Sequence, residues 1–167
     1  MPLLVHLTDA SDAATIERVG LIGRPACFPG AGLSDKVRLS QAVFAMPCLP
    51  NELATHQWMT ELLGRGMREI VAVHFEMDDH LKVWVGRYQK EHASVLLKDA
   101  VKRMESAADL RGWEIIIPGH VPAGAVCELR AVPCTVVPPM GLRLAPCEPG
   151  SHTPERLSPS VEPRLPI

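Results

Sequence analysis

The sequence predicts an α+β fold, and three observations carry that expectation. Apolar runs with strand character and runs with helical spacing both occur, as five or six short strands and three helices over residues 1 to about 137. They do not follow strict strand–helix–strand order, which argues against a doubly wound parallel sheet. Neither a G-x-G-x-x-G nor a P-loop pattern is present, so the glycine-rich phosphate loops of the common nucleotide folds are absent from the chain.

In chain order, Pro2 to Thr8 is an apolar strand pattern. Asp9 or Ser11 then caps a short helix from Asp12 to Val19, with Ala13, Ile16 and Val19 at helical spacing and Gly20 as its stop. Residues 22–40 hold three glycines and two prolines and read as a long loop, a length that in a compact domain points to function. Ala42 to Met46 is a second strand, stopped by Pro47 and Pro50, and Asn51 caps a helix over Glu52 to Leu63 that ends at Gly64. Glu69–Met77 and Leu81–Tyr88 are two strands joined by the polar turn Asp78-Asp79-His80, which predicts a hairpin. Ser94 to Ala107 is an amphipathic helix with Val95, Leu97, Val101 and Met104 near one face. Trp113–Ile117 is a buried strand, and Ala125–Val132 is the last.

Residues 138–167 differ in kind. They hold 8 of the 16 prolines and no Phe, Trp or Tyr, too little apolar surface to offset the entropy of ordering. A domain over 1–137 followed by a Pro-rich disordered tail is the expected organisation. No apolar run nears the roughly 20 residues that span a bilayer, and MPLLVHLTDA lacks the basic start of a secretory signal, so a cytoplasmic protein without membrane contact is expected. The five cysteines are odd in number and include no C-x-x-C pair, which argues against a disulfide framework or a structural zinc site and for reduced thiols, some of them small core residues. The formal charge of −2, with no Lys/Arg cluster, gives no electrostatic footprint for general nucleic-acid binding.

Polar residues inside apolar strands are the informative ones. His6 in LLVHLT, taken on its own, fits a hydrogen-bonded core histidine better than a functional one. Thr8 follows it by two and shares its face. Glu114 leads the run WEIIIP, where a carboxylate is costly unless it is paired, faces a cleft or turns to solvent at the strand's end. Thr55-His56-Gln57-Trp58 opens a helix; His56 and Trp58 either meet a substrate or divide into a solvated histidine and a buried indole packed with Leu62. His74 alternates with apolar Val73 and Phe75, which places it on the exposed side of its strand. No His/Cys/acid cluster has metal-ligand spacing, so no metal is expected, and there is no G-x-S-x-G elbow.

The opening HLTDASDAATIERVGLIGR and the closing GWEIIIPGHVPAGAVCELRAV together resemble the ADP-ribosyltransferase-like family, in the branch with RNA 2′-phosphotransferases and bacterial DNA and toxin ADP-ribosyltransferases. The middle, with THQW followed by VWVGRY, is similar to a segment of bacterial proteins to which no function attaches. The resemblance implies a small, mostly antiparallel split sheet and NAD as a substrate. His6 would hold a ribose hydroxyl with Thr8 beside it, and Glu114 would bond the nicotinamide-ribose 2′-hydroxyl. A carboxylate is needed there because breaking the glycosidic bond develops an oxocarbenium-like cation. The nicotinamide wall would fall to Phe44 or Tyr88, and Arg24, Arg38 or Arg87 would meet the pyrophosphate. The implied activity is transfer of ADP-ribose to a protein or nucleic-acid acceptor. A non-catalytic binding module of the same fold and an RNA 2′-phosphotransferase are the alternatives, the latter disfavoured by the slightly acidic chain. Catalysis further requires His6 and Glu114 to face one cleft.

Overall fold

The computed structural model describes residues 1–31, 35–50 and 53–132. The proposed boundary near Val137 and the Pro-rich segment beyond it lie outside these. Strand β1 (Leu3–Asp9) leads through a 3-10 turn (Ala10–Asp12) into helix α1 (Ala13–Val19). Strands β2 (Arg24–Pro29) and β3 (Lys36–Pro47), helix α2 (Leu53–Gly64), β4 (Ile70–Glu76), β5 (Lys82–Arg87) and β6 (His92–Leu96) follow. Helix α3 (Leu97–Glu105), β7 (Trp113–Pro118) and β8 (Val126–Val132) complete the order. The fold is α+β, as expected. The eight strands of the described residues form one open sheet in the order β6-β5-β7-β3-β1-β4-β8, with β2 added to β3 off that path.

The sheet is two blocks with a narrow join. β1 is paired with β4 over seven positions, Leu3↔Glu76 to Asp9↔Ile70. Its pairing with β3 covers only Leu4↔Pro47 and Val5↔Met46. Beyond Val5 the two strands part, and β3 runs on beside β7 from Ala45↔Ile115 to Ala42↔Pro118. A cleft opens where the ladder stops. Side-chain alternation then sets which residues meet. On one face Leu4, Val43, Ala45, Val73, Phe75, Val85, Ile115 and Ile117 form the main core, closed by Ile16 of α1 and Leu97, Ala100 and Met104 of α3. On the other, Val5, Leu7, Met46, Ile70 and Ala72 pack on Met59, Trp58 and Leu62 of α2. The β2–β3 arm covers the rest of that face, setting Ala26 and Phe28 against Ile116 and Trp84.

The structure corrects several expectations. Residues 22–40 are not one long loop, because Arg24–Pro29 pairs with β3, which begins at Lys36 rather than Ala42. Pro25 and Pro29 are tolerated because β2 has a single neighbour, so their missing donors face away from a ladder. β4 and β5 are not a hairpin: both edges of β4 are occupied, by β1 and β8, while β5 lies between β6 and β7 in the other block. Ser94–Leu96 ends a strand rather than starting a helix; Leu96 is still extended (φ −74°, ψ 149°), and α3 buries Leu97, Ala100 and Met104 from the next residue on. Cys27, Cys48 and Cys127 are thiols at exposed positions, and Cys134 and Cys147 lie outside the described residues. His74 is part-buried with an inward Nδ1 that has no partner, not a solvent-facing ring. No helix among the described residues is long and apolar enough to cross a membrane.

Candidate functional site

The cleft at the β1/β3 parting has a volume of about 590 Å³, within the usual range of ligand pockets. Consecutive residues of both strands line it, His6 to Asp9 and Ala42 to Phe44, because each strand is met along its open edge rather than across one face. Arg24 stands at the start of β2, while α1 and the end of α2 close the two sides.

His6 occupies the point where the ladder fails. Its Nδ1 lies 2.7 Å from the Phe44 carbonyl oxygen, so the ring replaces a backbone contact that the parted strands no longer make. A carbonyl only accepts, so Nδ1 carries the hydrogen. Burial pushes the imidazole pKa down, and the nearby Arg24 charge adds to this; the Phe44 bond and Asp12 oppose it without reversing the direction. A neutral ring protonated on Nδ1 leaves the lone pair on Nε2, an acceptor for a ligand hydroxyl. Thr8 Oγ1 donates to Asp12 Oδ2 at 2.8 Å, which ties β1 to the turn before α1. Asp12 was not singled out in the sequence, where it reads only as the start of a helix. Phe44 lines the cleft and is 38% exposed, a large apolar side chain on the sheet face opposite His6. Arg24 is exposed and forms no ion pair among the described residues.

Four candidates thus converge: His6, Thr8, Arg24 and Phe44. The others stand elsewhere. Glu114 is 6% exposed and does not line the cleft. The register explains why, since Ala45↔Ile115 and Val5↔Met46 put Glu114 on the face of Val5 and Phe44, opposite His6. Its Oε1 lies 3.2 Å from His92 Nε2. Burial pushes its carboxyl pKa up, with the His92 hydrogen bond and charge, and more weakly Arg65, pulling against that.

Trp58, Tyr88 and Arg87 belong to a third locality, where α2 meets the start of β7. Trp58 Nε1 donates to the Trp113 carbonyl at 3.0 Å, and the Gln57 side-chain oxygen accepts from the Gly112 N–H at 2.8 Å. Tyr88 packs edge-on against Trp58, with ring centroids 5.4 Å apart, and the Arg65 guanidinium lies 5.7 Å from its ring centre. Arg87 donates to the Asp109 carbonyl and covers the Trp113 ring. The THQW segment therefore latches α2 to residues 112–113, with Trp58 part-buried beside Leu62. His56 is part-buried and, like Tyr88 and Arg87, absent from the cleft wall. Arg38 of β3 is paired with Cys27 of β2, also away from the cleft. Among the described residues no group of three or more His, Cys, Asp or Glu is placed to hold a metal ion.

His92 and Arg65 are the partners that sequence reasoning missed. A faint trace existed in VWVGRY, where an isolated glycine in a strand marks a close approach. Neither a protein-family model, nor a curated protein, nor a solved structure matches this chain.

Proposed function

We propose that the cleft binds an NAD-type dinucleotide, as the ADP-ribosyltransferase-like resemblance implies. The observation that carries this is the convergence of His6, Thr8, Arg24 and Phe44 on one cavity at the parting of β1 and β3. A neutral imidazole with its lone pair free accepts from a ribose hydroxyl, a guanidinium with no counter-ion among the described residues suits a pyrophosphate, and an exposed phenyl ring suits a flat base. Calorimetric titration of the full chain with NAD tests it. Binding is expected, and His6→Ala and Arg24→Ala should each weaken it by about 10- to 100-fold, the worth of one charge-assisted or buried hydrogen bond. Absence of binding at millimolar NAD refutes it.

A second reading, transfer of ADP-ribose to a macromolecular acceptor, is favoured by one feature. Glu114 stands on β7, the strand next to Phe44, and on the same face as that ring. Against it, the carboxyl faces His92 rather than the cleft. Geometry therefore favours binding over transfer. Release of nicotinamide by the wild-type chain, lost in Glu114→Gln, would establish transfer; NAD binding without release leaves a binding module.

A further inference from the structure

His92, Gly86 and Glu114 occupy one cross-strand row on β6, β5 and β7. The outer two strands stand about 9–10 Å apart, two ladder spacings. Their side chains meet because the middle residue has none: a Cβ on Gly86 would sit 2.8 Å from His92 Cγ. The imidazole is fully buried, and Phe28 lies against it at 4.9 Å between ring centroids. Both ring nitrogens are engaged, Nδ1 with the Lys90 carbonyl at 2.9 Å and Nε2 with Glu114 Oε1 at 3.2 Å.

Hydrogen counting decides what this row must hold. The Lys90 carbonyl only accepts, so Nδ1 supplies a hydrogen. A neutral imidazole has only that one, which leaves a lone pair on Nε2. An ionised Glu114 also offers only lone pairs, and two acceptors 3.2 Å apart in a buried site repel. We propose that His92 and Glu114 hold one further proton between them at neutral pH, as imidazolium–carboxylate or imidazole–carboxylic acid, and that its loss in alkali loosens the β6-β5-β7 edge.

The surroundings carry little other charge. The turn after α2 brings Arg65, itself paired with Glu61; β2 brings Phe28, and β5 brings Gly86, with Arg87 turned to the opposite face toward Asp109. The turn before β6 brings Lys90 and Glu91, both exposed. One positive side chain does not remove the clash between Nε2 and an ionised Glu114. The upward shift of the Glu114 carboxyl agrees with a retained proton.

The sign follows from linkage. In the unfolded chain glutamate and histidine titrate near about 4.3 and 6.5, so above about pH 7.5 the unfolded pair holds no further proton while the folded pair still does. The folded state then binds one proton more, and the folding equilibrium constant falls by up to tenfold per pH unit as pH rises. Two measurements on the full chain test this. In nitrogen- and carbon-resolved NMR at pH 7, the expected result is either both His92 ring nitrogens protonated or Glu114 as a carboxylic acid. An ionised Glu114 facing an imidazole with one hydrogen overturns the proposal. In urea unfolding from pH 7 to 9, Glu114→Gln donates its amide hydrogen to Nε2 without an added proton, so the wild-type slope should exceed the variant's by up to one proton. Equal slopes overturn it as well. If Glu114→Gln fails to fold, the wild-type spectra alone decide.

Discussion

Replacing Gly86 by alanine tests the row of His92, Gly86 and Glu114 without touching either titrating group. The new Cβ would lie 2.5 Å from the Glu91 carbonyl oxygen and 2.8 and 2.9 Å from His92 Cγ and Cδ2. Neither neighbour yields cheaply. The carbonyl belongs to the backbone, and the ring is fully buried and held at both nitrogens. Overpacking of this kind costs about 1–3 kcal/mol. Displacing the ring also breaks a buried hydrogen bond and strands its partner, a further ~1–3 kcal/mol. A loss of about 2–5 kcal/mol corresponds to a fall in Tm on the order of 10 °C for a domain of this size. Thermal melting followed by circular dichroism reads it, with urea unfolding as the second measure. Gly64→Ala at the end of α2 is the control: nothing lies within 4 Å of its Cβ position, and alanine favours helix, so its Tm should hold or rise slightly. A Gly86→Ala protein melting within about 2 °C of wild type would refute both the close approach and the row built on it.

Trp58→Phe keeps a ring against Tyr88 but removes the donor to the Trp113 carbonyl; urea unfolding should show a loss of about 1 kcal/mol, and no loss means the latch is not held by that bond. Phe44→Ala should weaken NAD several-fold while leaving Tm nearly unchanged, because the ring is already part-exposed; calorimetry and melting separate the two effects. Asp109, held by the Arg111 side chain and backbone and by Arg87, titrates at about 2, and in Arg111→Ala an NMR titration should find it moved back toward 3.8. That value is depressed in the folded state, so whatever stability the contact gives is present above pH 3.8 and is lost as pH falls toward 2.

The elements legible in the sequence are those whose pattern is complete within themselves. β1, α1, β4, β7 and β8 lie within a residue or two of their expected bounds, because each carries its own apolar period and its own stop, Gly20 after α1 and Pro118 at the end of β7. β2 was hidden for the opposite reason. Two prolines in RPACFP deny it an interior strand, and only β3 as a lone neighbour makes it one. The β4–β5 hairpin was a local guess about a non-local choice. Nothing in EIVAVHFEM states that both its edges are already promised to β1 and β8.

The candidate site divides along the same line. His6 and Thr8 were visible as polar residues in an apolar strand, and Phe44 and Arg24 followed from the resemblance, but the reason His6 is useful lies in pairing. The β1–β3 ladder stops after Val5, and the imidazole takes the Phe44 carbonyl that the ladder leaves unpaired. Glu114 shows the limit more sharply. Its place in WEIIIP announces a carboxylate that needs a partner, and a cleft was the obvious supplier. The supplier is instead a histidine 22 residues earlier, delivered across a strand whose glycine leaves room for it. That same satisfaction weighs against catalysis. A carboxyl group that shares a proton with a buried imidazole is not standing ready, ionised, beside a developing cation. For Glu114 to serve a ribose in the cleft, it would have to leave His92 with an unpaired Nε2 inside a closed core, at a cost of about 1–3 kcal/mol before any gain from the transition state.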